Sequence, residues 1–205
     1  MKGNRAPVII EYKSKKNSLG IDMSGKAIFF SCVPSSIPPK KILDYFQENF
    51  GPIIKLGVFK KPRKGEQHQS TSLHRGSGFV NFLHRSSVRG VLNQKIHYIE
   101  GALFNIRFAC TRKDKQAREA VILAEKRLIH IKGAHYRTIP RSVLSYLQNF
   151  GKVTEFIFIP NNSAGEISCF AVFAKKGISE YLHGQTFRVA GDDLLYRFVK
   201  PLSEA

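Results

Sequence analysis

The residues of this chain best suited to chemistry with a partner are flat rings on strand-like segments, flanked by cations. Arg75 to Phe82 reads R-G-S-G-F-V-N-F. Period-two alternation turns Phe79 and Asn81 to one face of a strand and Val80 and Phe82 to the other. Gly76 and Gly78 carry no Cβ and let a neighbour come close to the backbone. Ala27 to Val33, A-I-F-F-S-C-V, repeats the pattern, with Phe29 outward between inward Ile28 and Phe30. An aromatic ring on the open face of a sheet gains from a flat cover, and an unpaired base is one. Stacking of this kind is worth about 1–3 kcal/mol per base, so two such plates supply a meaningful part of a micromolar affinity. The competing account is two core phenylalanines, and their matching places in two similar strands favour plates.

Other polar and aromatic residues fall around the same predicted face. In Ile53 to Lys60, inward Leu56 and Val58 leave Lys55, Gly57 and Phe59 on the open side. The strand that runs to Ala109 turns Phe104, Ile106 and Phe108 inward, and Asn105 and Arg107 outward, where they can meet base edges or, for Arg107, cover apolar surface. Between these strands, the polar loop Lys61 to Arg75 holds Lys61, Arg63, Lys64, His68, His74 and Arg75. Basic residues on a loop beside a stacking surface suit phosphate contacts.

The charge points the same way. Lys and Arg number 33 against 15 Asp and Glu, a net charge of +18 with a pI near 10.0. The first 111 residues carry 18 of the cations and only 6 of the acids. A polyanionic partner is favoured, nucleic acid ahead of an acidic membrane. A hydrophobic fraction of 42% is enough for real cores and excludes a disordered chain. No apolar run is long enough to span a bilayer, and M-K-G-N-R-A-P lacks the apolar centre of a signal peptide. Cys32, Cys110 and Cys169 are widely spaced, as expected of structural thiols in a reducing compartment. The expectation is an intracellular protein, nuclear in preference to cytoplasmic.

The elements that position these residues follow from periodicity and punctuation. Lys40 to Phe50 places Ile42, Leu43, Phe46 and Phe50 at helical spacing, and Gly51 closes the helix. Ser86 to Asn93 does the same with Val88, Val91 and Leu92. The order is βαββαβ, with the two aromatic strands first and third. In that order the chain resembles the RNA-recognition motif (RRM) family: Arg75 to Phe82 matches its RNP1 signature except at Ser77, and Ala27 to Val33 resembles its RNP2. The V-L-N-Q-K-I-H-Y-I-E-G run looks like the hnRNP A/B and Musashi group. The resemblance implies that Phe29 and Phe79 stack on bases and Arg75 reaches a phosphate. It also implies that Ser77 removes a third aromatic, for which Phe59 is the candidate substitute.

The rest of the chain is an internal repeat. I-P-R-S-V-L-S-Y-L-Q-N-F-G (Ile139 to Gly151) echoes I-P-P-K-K-I-L-D-Y-F-Q-E-N-F-G (Ile37 to Gly51). His130 takes the place of Phe29, Phe170 that of Phe79 and Arg197 that of Arg107. Glu166 replaces the basic first position of RNP1, both glycines are lost, and Ser168 repeats the missing aromatic. Lys113 to Arg127 reads as a helix with Asp114 as its N-cap and a weak stripe of Ala117, Val121 and Ala124.

The expected architecture is α+β: two ferredoxin-like βαββαβ domains, each a four-stranded antiparallel sheet with two helices on one face. Residues 1–25 form a basic flexible arm with at most a short strand, 26–111 the first RRM domain, 112–127 a helical linker, and 128–205 a degenerate second RRM domain. The expected partner is single-stranded RNA, with single-stranded DNA open to the same plates. A protein partner, the linker helix or self-association fits the greasier second sheet as well as RNA does, where Ile157, Ile159 and Leu195 join Phe170. A scaffold within a ribonucleoprotein, or an accessory subunit of an RNA-processing enzyme, are the rival roles. Scattered histidines, no zinc spacing, no P-loop and no nucleophile motif argue against an enzyme, a metal or a cofactor.

Overall fold

Alternating apolar runs become strands, and runs of helical period become helices that cover one face of them. The computed structural model describes residues 9–13, 25–60, 74–135, 140–160, 166–189 and 192–198. The chain divides into two compact units, Met1–Ala109 and Cys110–Ala205. The first holds β1 (Ile9–Lys13), β2 (Ala27–Ser31), α1 (Pro39–Phe50), β3 (Ile53–Phe59), β4 (Gly78–Phe82), α2 (Arg85–Asn93), β5 (His97–Ile99) and β6 (Ala102–Phe108). Its sheet has the order β1-β3-β4-β2-β6-β5. The four inner strands are the expected antiparallel set. The sheet is wider than four because β1 joins β3 in parallel, Ile9 opposite Lys55 through Lys13 opposite Phe59, and β5 folds back on β6 as a hairpin.

The second unit holds α3 (Arg112–Ala124), β7 (Leu128–His135), α4 (Pro140–Gln148), β8 (Val153–Pro160), β9 (Glu166–Phe173), α5 (Ile178–Leu182), β10 (Thr186–Val189) and β11 (Asp192–Phe198). Its order is β10-β11-β7-β9-β8, every pair antiparallel, with β10 as the additional edge. Thr111, not Asp114, caps α3. Its hydroxyl oxygen accepts from the Asp114 N–H at 3.1 Å and donates to the Asp114 carboxylate at 2.6 Å. Asp114 therefore sits at the third helical position, where a carboxylate favours the positive end of the helix dipole.

The first core lies between the sheet and both helices. Ile42, Leu43 and Phe46 of α1 and Val88 and Val91 of α2 pack on Ile28, Phe30, Leu56, Val58, Val80, Phe82 and Phe104. Phe46 is its hub, with ring centroids about 6 Å from Phe30, Phe82 and Phe104. Pro39 starts α1, where its missing N–H costs nothing, and Gly51 ends it at φ +101°. Phe108, expected inward, is 36% exposed. It shares the inward face with its partner Ile28 but is the last residue of β6.

Gly78 shows why β4 needs a glycine. A Cβ there would collide with the Gly57 carbonyl oxygen and come within 2.6 Å of Phe30 Cζ. The neighbour that this glycine admits is the protein's own core. Phe30 and Gly78 are cross-strand partners, and the equivalent pair in the second unit is Ile131 and Cys169. A smaller aliphatic side chain opposite Cys169 leaves the room that Phe30 fills. The lost RNP1 glycine is thus a volume-conserving exchange across two strands, and burial pushes the Cys169 thiol pKa up.

Two histidines are buried as hydrogen-bonding ties. His74, expected among phosphate-contacting loop residues, is fully buried: its Nε2–H donates to the Ile37 carbonyl at 2.6 Å and its Nδ1 accepts from the Gly76 N–H at 2.9 Å. His97 is 1% exposed; its Nε2–H donates to the Val91 carbonyl at 3.1 Å, and its Nδ1 accepts from the Tyr45 hydroxyl at 2.8 Å. Burial lowers the His97 pKa from 6.5 to about 4 and raises that of Tyr45 to about 12.

Two glycines predict opposite outcomes for the same substitution. Gly78→Ala destabilises the first unit by roughly 1–3 kcal/mol through overpacking. Gly90→Ala, inside α2 with only Phe50 Cδ1 nearby at 3.6 Å, stabilises it by about 0.5–1 kcal/mol. Urea unfolding followed by circular dichroism reads both. His97 predicts a pH dependence. The unfolded chain protonates this ring near pH 6.5 and the folded unit only near 4, so the unfolded state binds the extra proton between them. The stability held by neutral His97 is complete above pH 6.5, falls as the pH drops to about 4, and then levels off. The full loss is about 3 kcal/mol, and His97→Phe flattens the slope in unfolding curves taken across that range.

Candidate nucleic-acid interface

Strand register assembles the candidate site on the side of the first sheet away from the helices. Phe29 of β2 stands opposite Phe79 of β4 and opposite Arg107 of β6, and Gly57 of β3 stands opposite Phe79. The result is one row across four strands. Phe29 and Phe79 meet edge to face, with centroids 5.0 Å apart at 64°, both half-buried. The Arg107 guanidinium carbon lies 4.4 Å from the Phe29 ring centre, in cation–π range. A planar guanidinium over a ring can itself stack against a base or move to a phosphate.

Phe59 closes the other end of the row. Its N–H donates to the Ser77 carbonyl at 3.0 Å, so the residue missing from RNP1 and its proposed substitute are cross-strand neighbours. The small Ser77 leaves space beside Phe79, and the Phe59 ring sits there, 5.7 Å from Phe79 at 81°. At 6% exposure, however, Phe59 buttresses Phe79 and offers little ring face of its own. Asn81 lies on the same side, between Ala27 and Lys55, and is only 8% exposed. Lys55 is half-buried and Arg75 exposed, with the Arg75 N–H bonded to the Phe59 carbonyl at 2.8 Å. Asn105 stands opposite Ser31 in the next row, its amide 3.4 Å from Cys32 Sγ. Lys61, Arg63 and Lys64 lie outside the described residues. None of β2, β3, β4 and β6 contains an Asp or Glu, so no fixed negative charge from these strands opposes a phosphate.

The second sheet places its equivalents in the same register but not in the same posture. His130 stands opposite Phe170, and Arg197 opposite His130; the Arg197 side chain lies outside what is described. The His130 and Phe170 rings are parallel, 4.4 Å apart at 3°. Rings on adjacent strands that stack on each other must stand on edge, so neither lies flat for a base. Sequence reasoning had no signal for this, because it depends on side-chain rotamers. Among the described residues no group of three or more His, Cys, Asp or Glu could hold a metal, and no helix is long and apolar enough to cross a membrane.

No family model matches the chain. Solved structures do. A ternary complex of rna15, hrp1 and anchor RNA in 3′ processing is similar over 85% of this chain and 96% of that one, with 15% identity and a TM-score of 0.52. The RNA-binding domain of Hrp1 in complex with RNA matches over 87% and 98%, with 15% identity and a TM-score of 0.48. Sex-lethal RNA recognition domains 1 and 2 from Drosophila melanogaster match over 85% and 99%, with 12% identity and a TM-score of 0.35. At these identities the likeness is one of fold. It does not reach the hnRNP A/B and Musashi group in particular. The chain has the fold of two RRM domains in tandem.

Proposed function

We propose that this protein binds single-stranded RNA through the open face of its first sheet. The observation that carries the reading is the cross-strand pair Phe29 and Phe79, held edge to face on strands that carry no Asp or Glu, with Arg107 over Phe29. Bases stack on the two phenylalanines, Phe59 fixes the Phe79 ring, and Lys55, Arg75 and Arg107 meet phosphates or base edges. The basic loop through Lys61, Arg63 and Lys64 adds phosphate contacts, so affinity falls as salt rises. Neighbours described as RNA complexes agree with this reading. Asn105 and the polar edge of β6 supply what sequence preference there is. On this reading the chain works inside the cell, as a binding component of a ribonucleoprotein, with no turnover of its own. The second unit contributes through its fold more than through its sheet face.

Phe29→Ala with Phe79→Ala removes two stacking surfaces and leaves the core cluster untouched. The expected result is a loss of at least tenfold in affinity for a mixed pool of single-stranded RNAs, from about 1–3 kcal/mol per base, with an unchanged circular dichroism spectrum. A folded double variant that binds the pool as tightly as the parent refutes the sheet-face reading. Parallel titrations with single-stranded DNA of the same sequences show whether the 2′-hydroxyl is read.

A further inference from the structure

The open face of the second sheet differs from the first in a way that its fold does not require. In the first unit, one row of that face reads Ala27, Asn81, Lys55 across β2, β4 and β3. The same row in the second unit reads Leu128, Val172, Glu155 across β7, β9 and β8. A polar and basic row has become apolar and acidic. Val172 is 6% exposed, close to the 8% of Asn81 at the same place in the first sheet.

α3 reaches this row at Glu155. Arg118 of α3 forms an ion pair with Glu155, and Ile122, four residues on and so on the same side of the helix, is 7% exposed. Ile122 is the one buried residue of α3, while Val121 is 52% exposed. The stripe of Ala117, Val121 and Ala124 expected from sequence therefore faces away. The path is geometrically consistent. Arg118 stands six residues before the end of α3, about 9 Å along its axis. Glu155 stands two strands from β7, also about 9–10 Å. The exit turn is fixed as well: the Glu125 carbonyl accepts from the Gly177 N–H at 2.9 Å, and the Lys126 carbonyl from Ser179 N–H at 3.1 Å and its hydroxyl at 2.7 Å. Glu125 also pairs with Lys176 at 2.7 Å and Arg127 at 3.1 Å. A helix that leaves this anchored turn and reaches Glu155 must cross the sheet face.

We infer that the open face of the second sheet is a helix-docking surface whose resident ligand is α3. It accepts a helix with an arginine and, four residues later, an aliphatic side chain: the arginine meets Glu155 and the aliphatic side chain shelters on the apolar row. This deepens the proposed division between the units, because the same exchanges that suit a helix oppose RNA. Glu155 repels phosphate, and His130 and Phe170 are committed to each other. An isolated helix of this length is marginal in water, so α3 persists because it is docked.

Hydrogen exchange and charge reversal in the full chain test the inference. Arg118→Glu, and separately Glu155→Arg, should speed amide exchange across residues 112–124 by about fivefold, the factor that an interaction of about 1 kcal/mol would set. Combining the two should restore slow exchange. Ile122→Asp should release α3 outright and raise binding of a hydrophobic dye. Placed on Phe29→Ala with Phe79→Ala, it should leave RNA binding as weak as before. Absence of rescue by the double reversal overturns the docking geometry, and recovery of RNA affinity on release of α3 shows a masked RNA platform instead. Failure of the first-sheet reading would appear elsewhere, as equal RNA binding by the parent and the Phe29 and Phe79 double variant.

Discussion

The constraint on which the first unit depends is the close approach of β4 to β2 and β3 at Gly78. Phe30 fills the space over that glycine, and the Gly57 carbonyl closes it from the other side. This contact fixes the register in which Phe29 falls opposite Phe79. A slip of β4 by one residue would turn Phe79 into the core and bring Val80 to the surface. The row of Phe29 and Phe79 is therefore held from beneath, by the packing of core residues. His74 adds a second fixing point: it ties the start of this strand to the α1 loop through Ile37 and Gly76, and Gly76 precedes Ser77, whose carbonyl accepts from the Phe59 N–H.

Much of this was legible in the sequence, for identifiable reasons. Phe29 and Phe79 could be placed because period-two alternation decides the face of a strand, and their pairing followed from the order of the strands. The α1 core could be placed because Ile42, Leu43 and Phe46 have helical spacing. What escaped was set by tertiary geometry. His74 looked like a loop cation because its burial depends on a carbonyl 37 residues away. Phe59 could be put on the right face, but its near-complete burial beside Ser77 follows from how three rings meet. The weak stripe of Ala117, Val121 and Ala124 is exposed, whereas the buried residue of α3 is Ile122, which belongs to no apolar stripe legible in the sequence.

Set against each other, the two units keep one fold while the chemistry of the open sheet face differs between them. The cores keep their volume: Phe30 with Gly78 in one, Ile131 with Cys169 in the other. The exchanges on the opposite side are not volume-neutral, and they share a direction. Asn81 stands where the second unit has Val172, and Lys55 where it has Glu155, so a polar and basic pair is matched by an apolar and acidic one. Relaxed constraint alone would scatter such changes over charge and polarity. Here the new acid is the one that pairs with Arg118, and the new aliphatic residues lie where Ile122 needs cover. The degenerate RNP strands of the second unit are better understood as fitted to α3 than as remnants of an RNA site.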